Sequence, residues 1–387
     1  MGSSEPSGAG VSAGLERPGA RPLTVRRVAV AVGTRPEVIK MAPVLRALER
    51  SGGCEPILIS TGQHRELLET AFAPFGLVPQ YRLDVMEPNQ TTNQVIVRVV
   101  DRISKLLGEI APDAILVQGD TTSALASALA AYCMRIRVGH VEAGLRTYDH
   151  DNPFPEEANR QLVDRISEWC FAPTESARSN LLSERIDPQR VHVTGNTVVD
   201  ALLWAVERSD TRCEPGTLLV TLHRRESFGQ PLREILLALC DFLDVTPGAR
   251  ALWPLHPNPN VARALEVVAA HRERIEIVPP MDYLRFAGAL ASCRLVLTDS
   301  GGLQEEGPSL GKTVLVAREH TERPEALEGG RNRVVGRERS GVRQALLTAW
   351  HEPVYTGPLP APNPYGDGRA SERIARLLAR SLEQRSR

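Results

Sequence analysis

The chain has 387 residues, 42% of them hydrophobic and 24% charged, with a formal net charge of −1. That length suits two ordinary domains better than one large core. A near-neutral balance excludes a global field that would recruit nucleic acid or anionic lipid, so neither partner is expected and any bound anion must be held locally. Apolar runs such as 124–131 fall well short of the roughly 18 residues that a membrane span requires.

Residues 1–24 are rich in Gly, Ser, Pro and Ala without a continuous apolar core, which predicts a disordered leader rather than a secretory signal. Val28 to Val32 then reads as a strand, and "GTRPEVIKMAPVLRALER" turns into a helix with apolar positions at 38, 41, 44, 45 and 48. Thr34 and Glu37 make a T-x-x-E capping box with Pro36 in the first turn, which leaves Arg35 unexplained by helix initiation. Lys40 lies further along the same helix and is a candidate cation at a cleft. Lys40, Lys105 and Lys312 are the lysines of a chain that otherwise uses arginine.

Strands are predicted next at Pro56 to Ser60, Ala114 to Gln118, Ile136 to Val141, Trp169 to Ala172 and Val191 to Thr194. Asp120 and Glu142 close two of them, while Glu156 and Glu157 open a helix whose dipole they would complement in any protein. Asp120 has a competing reading as the N-cap of the following helix. A metal is not expected from "GHVEAGLRTYDHDNPFPEEANRQL", because its histidines and acids lack ligand spacing.

A second set of strands follows at Leu218 to Leu222, Ala251 to Leu255, Ile275 to Val278, Leu295 to Thr298 and Thr313 to Val316. Two successive sets of βα units predict an α/β protein of two Rossmann-like, doubly wound domains. Their boundary falls near Gly195 to Ala201, and ligand binds between their strand ends. His223 and His256 each follow a strand, where such folds bind ligands. Ser300, Gly301 and Gly302 form a strand-to-helix turn that a diphosphate can approach, with Glu306 placed for ribose hydroxyls and Arg323 for phosphate. Neither a GxGxxG nor a Walker A loop occurs. After a proline-rich crossing, a last helix from about Arg369 to Leu382 is expected to return to another domain. The cysteines at 54, 133, 170, 213, 240 and 293 show no CxxC spacing and are expected to be reduced, buried thiols of a cytoplasmic protein.

In order along the chain stand "GTRPEVIKMAP", "TGQHRELL", "GDTTSALA", "GHVEAGLRT", "PFPEEANRQL", "FAPTE", "TGNTVVDALLW", "HRRESFG", "TDSGGLQEEGPSLGK", "TERPEA" and "NPYGDG". Over about Val28 to Leu378 the chain resembles the non-hydrolysing UDP-N-acetylglucosamine 2-epimerases. The resemblance implies a glycosyltransferase B-type fold with the active site in the interdomain cleft. The implied domains are 25–197 and 198–365, with a C-terminal helix in 366–387 packing back on the first. It implies interconversion of UDP-N-acetylglucosamine and UDP-N-acetylmannosamine without a cofactor, through elimination of UDP to a 2-acetamidoglucal, in a cytoplasmic homodimer.

By matching motifs, Asp120, Glu142 and Glu156 resemble the acid/base carboxylates and His223 the residue serving the departing diphosphate. Arg35, Lys40, His256, Ser300, Gly301, Gly302, Glu306 and Arg323 resemble the UDP-binding set, with Phe286 beside the uracil. Gln63, His64 and Gln90 match an allosteric activator site, although Asn89 and Glu66 depart from it, so weakened or absent activation is expected. Gln118, Leu222, Glu319 and His320 also depart from the usual motifs beside the diphosphate. The residues leave open a related UDP-2-acetamido sugar as substrate, a hydrolysing 2-epimerase releasing N-acetylmannosamine and UDP, and a glycosyltransferase of the same fold.

Overall fold

A computed structural model describes residues 25–384, apart from 63, 64, 88, 89, 322, 324, 329 and 356–362. The expected leader at 1–24, and Gln63, His64 and Asn89 of the expected activator site, lie outside the described residues. The strands of the first sheet are β1 (Arg26–Val32), β2 (Cys54–Ser60), β3 (Tyr81–Arg82), β4 (Ala114–Gln118), β5 (Arg137–Val141), β6 (Trp169–Ala172) and β7 (Val191–Val193). They are parallel and ordered β3-β2-β1-β4-β5-β6-β7. The second sheet holds β8 (Thr217–Thr221), β9 (Arg250–Pro254), β10 (Ile275–Val278), β11 (Leu295–Thr298), β12 (Val314–Val316) and β13 (Asn332–Val334). These are also parallel, in the order β10-β9-β8-β11-β12-β13.

The helices are α1 (Arg35–Ser51), α2 (Arg65–Phe72), α3 (Thr92–Ile110), α4 (Thr122–Cys133), α5 (Glu156–Ile166), α6 (Glu175–Ser183) and α7 (Thr197–Arg208). The remainder are α8 (Gln230–Val245), α9 (Pro259–Arg263), α10 (Tyr283–Ser292), α11 (Leu303–Ser309), α12 (Glu325–Glu328), α13 (Arg339–Trp350) and α14 (Ala370–Gln384). Parallel strands must be covered on both faces, which is why β4 reads Ala-Ile-Leu-Val-Gln and is buried throughout. The two doubly wound sheets form the glycosyltransferase B-type architecture that the sequence led us to expect. No helix among the described residues is long and apolar enough to cross a membrane.

Both sheets reverse their winding once, between β1 and β4 in the first and between β8 and β11 in the second. At such a point the connections leave in opposite directions and open a crevice beyond the strand ends. β3 and β13 were missed from sequence because two and three residues are too short to carry an alternating pattern.

The terminal helix α14 packs against the first sheet. Ile374, Ala375, Leu378 and Leu382 share a buried cluster with Val28 and Val30 of β1 and with Met41, Leu45 and Leu48 of α1. Asp200 near the start of α7 accepts from the amides of Ala370 (3.2 Å) and Ser371 (2.8 Å), so its carboxylate satisfies donors that open α14. The cysteine expectation needs one correction. Cys54, Cys170, Cys240 and Cys293 are buried and Cys213 is half-buried, but Cys133 is exposed at the outward-facing end of α4. Replacing the fully buried Leu378 by alanine is expected to lower unfolding stability by about 2–5 kcal/mol in a urea titration. A loss below about 1 kcal/mol would mean that α14 does not share this core.

Candidate active site

At the first crevice, Glu37 does more than initiate a helix. Its carboxylate accepts from the amides of Gly33 and Thr34 (2.8 Å to the latter) and from the Thr121 hydroxyl at 2.5 Å. It therefore ties the β1–α1 turn to the β4–α4 turn. Thr121, whose hydroxyl accepts from the Ala124 amide at 3.1 Å, is the N-cap of α4. Asp120 is thus not the cap, and its side chain instead pairs with Arg160 of α5.

The acid-rich loop divides its labour. His140 is fully buried, its Nδ1 at 2.6 Å from Asp164 and its Nε2 at 2.8 Å from the Gly119 carbonyl. Glu157 turns inward and accepts from the amides of Thr147 (3.0 Å) and Tyr148 (3.1 Å) and from Gln161 at 2.8 Å. Burial resists ionisation of Glu157, but these donors and Arg160 outweigh it and hold the carboxyl below its ordinary range. Glu156, its neighbour in the first turn of α5, faces the cleft instead. Glu142 directly follows β5 with φ of +71°, a left-handed conformation that a residue with a Cβ adopts only when its surroundings hold it there.

At the second crevice, Asp299 beyond β11 is buried and accepts from the His223 amide with both oxygens (3.0 Å each) and from the Arg224 amide at 2.9 Å. The His223 and His256 rings stack, with centroids 5.3 Å apart and planes 16° apart, because β8 and β9 are parallel neighbours. Burial lowers the pKa of His223, Asp299 opposes this, and the adjacent His256 and Arg224 reinforce it. A methyl group on Gly301 would lie 2.7 Å from Nη1 of Arg323 and 3.4 Å from Nη2 of Arg224, so the missing side chain lets two guanidiniums close over the turn. The Ser300 amide donates to the Thr298 hydroxyl at 2.9 Å.

A charged network joins the two crevices. Lys40 of α1 pairs with Glu142 and lies 3.8 Å from Glu305 of α11. Glu305 accepts from Arg323 Nε at 2.5 Å. Asn196, between β7 and α7, donates to Glu142 at 3.0 Å and to Glu305 at 3.2 Å. Gln118 donates to the other oxygen of Glu142. Burial disfavours the Lys40 ammonium, but Glu142 and Glu305 more than compensate and raise its pKa.

Between the lobes lies a cavity of about 300 Å³ lined by Lys40, Gln118, Asp120, Glu142, Arg146, Glu156, Arg160, Arg224, Gly301, Gly302 and Arg323. The three carboxylates singled out from sequence thus meet the glycine turn and Arg323. Arg35 extends from α1 toward the Met281 carbonyl of the second lobe at 3.5 Å. Phe286 is partly buried against the apolar cluster that holds Tyr283 and Leu290, and Glu306 accepts from the Tyr283 hydroxyl at 2.9 Å. Gln90, half-buried, accepts from Arg98 at 2.6 Å. Of the departures from the usual motifs, only Gln118 lines the cavity: Leu222 lies in the second core and Glu319 pairs with Arg337 at 3.1 Å.

The site also contains residues that sequence reasoning did not single out. Asp299 follows a strand as Asp120 does and was legible by the same rule. Arg160, four residues after Glu156, shares its helix face. Asn196 and Glu305 lie within two of the quoted motifs, but nothing in the sequence joined them, because only the meeting of the lobes brings them together.

The family model described as UDP-N-acetylglucosamine 2-epimerase matches residues 46–379, which take in every described strand except β1. The chain belongs to the UDP-N-acetylglucosamine 2-epimerase family. The curated UDP-N-acetylglucosamine 2-epimerase of Salmonella typhimurium is 43% identical over 91% of this chain and 98% of its own length. That of Neisseria meningitidis is 38% identical over 92% of this chain and 100% of its own. The crystal structure of the Neisseria meningitidis enzyme bound to UDP-GlcNAc superposes with a TM-score of 0.81 at 37% identity, covering 92% of this chain and 100% of that one. The Methanocaldococcus jannaschii enzyme superposes at 0.79 with 33% identity, covering 92% and 99%. Family membership makes this chain an enzyme of the isomerase class.

Glu306 provides a pH test of the site. Burial pushes its carboxyl up from 4.5 to about 7, against the Tyr283 hydrogen bond. A raised acid contributes stability that is full below its unfolded pKa and lost as pH rises through the folded one. Glu306→Gln is therefore expected to gain on the wild type by roughly 2–3 kcal/mol in denaturant titrations between pH 5 and 8. A constant difference across that range would show that Glu306 does not titrate there.

Proposed function

We propose that the protein interconverts UDP-N-acetylglucosamine and UDP-N-acetylmannosamine at C2 by elimination and re-addition of UDP. The observation that carries this reading is the convergence of Asp120, Glu142 and Glu156 on one cavity with Gly301, Arg224 and Arg323. The C2 proton is not acidic beside an acetamido group, so its removal must be coupled to departure of the anomeric diphosphate. A carboxylate takes the C2 proton, the C1–O bond breaks with its electron pair leaving on UDP, and a C1=C2 double bond forms. A second carboxyl group, protonated, gives its proton to the opposite face of C2, the C1=C2 electron pair forming the new C2–H bond as UDP re-adds at C1 and leaving that group a carboxylate.

The guanidiniums and the glycine turn stabilise charge where it grows on the leaving group. Burial lowers the pKa of His223, but a diphosphate dianion beside it favours the protonated ring, and so it can serve the departing diphosphate. Arg35, Lys40, His256, Phe286, Ser300, Gly302 and Glu306 complete the UDP-sugar site. In this reading 25–197 supplies the proton chemistry and 198–365 holds UDP, with the C-terminal segment 366–387 returning to the first unit. The enzyme works in the cytoplasm as a homodimer.

Incubation with UDP-N-acetylglucosamine, followed by proton NMR, is expected to yield UDP-N-acetylmannosamine. Release of free N-acetylmannosamine and UDP would replace this reading with the hydrolysing one. Asp120→Asn, Glu142→Gln and Glu156→Gln are each expected to lower kcat by about 10²–10⁴-fold with UDP affinity retained. Full turnover in all three variants would contradict the assignment.

A further inference from the structure

We propose that Asn196 is a positioning residue that aligns Glu142 for proton transfer, using Glu305 as its second anchor. The proposal rests on the function proposed above. Asn196 is 2% exposed and sits in the crossing between the last strand of the first sheet and the first strand of the second. Its amide nitrogen has two hydrogens and spends both, one on Glu142 Oε1 at 3.0 Å and one on Glu305 Oε2 at 3.2 Å. Its amide oxygen accepts from the Val198 amide at 3.0 Å. That third bond fixes which way the side chain points, because a flipped amide would aim its oxygen at two carboxylates and its NH2 at a backbone donor.

The bridge brings two carboxylates, from different lobes, onto one neutral group. Their charges are met by Lys40 between them and by Arg323 on the far oxygen of Glu305. Gln118 supplies a further neutral donor to Glu142. Asn196 does not line the cavity, so it acts through Glu142 rather than on the sugar. Its backbone amide donates to the Tyr365 carbonyl at 2.8 Å, anchoring the bridge to the segment that leads into α14.

Asn196 also caps α7, and that structural duty has to be separated from positioning. Asparagine and aspartate cap helices about equally well, so Asn196→Asp keeps the cap while replacing two donors with an acceptor facing two carboxylates. The experiment measures kcat and KM for UDP-N-acetylglucosamine, with thermal midpoints, for the full-length wild type, Asn196→Asp and Asn196→Ala. The proposal predicts kcat lowered by about 10–100-fold in Asn196→Ala with KM within about 3-fold, and a larger loss in Asn196→Asp. A merely structural residue would give Asn196→Asp near-wild-type kcat, and that result overturns the proposal, as does Asn196→Ala with kcat within 2-fold of wild type. If Asn196→Asp does not fold, Asn196→Ala decides alone. A wild type that makes no epimer takes the functional reading down as well, whereas an active wild type with active variants removes this inference only.

Discussion

Two carboxylates and two cations nearly shielded from water must balance one another where the lobes meet. The side chains of Glu142, Glu305, Lys40 and Arg323 are 8%, 2%, 13% and 18% exposed, so none is freely solvated. Removing one partner from such a buried set costs about 3–5 kcal/mol, because it strands a charge rather than merely losing an attraction. The network is therefore maintained as a unit, and it ties Glu142 of the first lobe to Glu305 and Arg323 of the second. A net charge near zero for the whole chain fits this design. The positive charge at the cavity comes from the local arrangement of the Arg224 and Arg323 guanidiniums, not from an overall field.

The fold explains why these residues can meet at all. Each sheet reverses its winding once, and the crevice it opens is lined by whatever follows the two flanking strands. In the first lobe those residues are the Gly33–Glu37 turn and Gly119–Thr121; in the second they are His223, Arg224 and Asp299–Gly302. The backbone around them is tied down by buried acids that accept from its amides. Glu37 clamps one pair of turns and Asp299 the other. Nearby, Asp164 receives His140 and the amide of Gly144 (3.1 Å). Glu157 likewise spends its oxygens on the amides of Thr147 and Tyr148, whereas Glu156 lines the cavity. That distinction separates Glu157 from Glu156, which adjacent positions in the sequence could not.

Much of this was legible in the chain itself. The longer strands carry short apolar runs and were placed within a residue or two, and the rule that ligands gather at strand ends selected Asp120 and Glu142, which line the cavity, and His223 and His256, which stack on each other beyond β8 and β9. The stacking of the two histidines follows directly from adjacent parallel strands. The rest depends on tertiary contact. Asp120 looked like a helix cap until Thr121 took that place. Asn196 and Glu305 belong to segments more than a hundred residues apart, and no local period records that they share a hydrogen-bonded bridge. Gln118 was noticed only as a departure from a motif, and its contact with Glu142 gives that departure a physical place.

The central claim is that this cleft breaks and remakes the bond between C2 and its proton while UDP leaves and returns. The most direct measurement is incubation of the wild-type protein with UDP-N-acetylglucosamine in deuterated water, with C2 followed by NMR. The account predicts deuterium at C2 of both UDP-N-acetylglucosamine and UDP-N-acetylmannosamine. Epimer formed with C2 still fully protonated would contradict it.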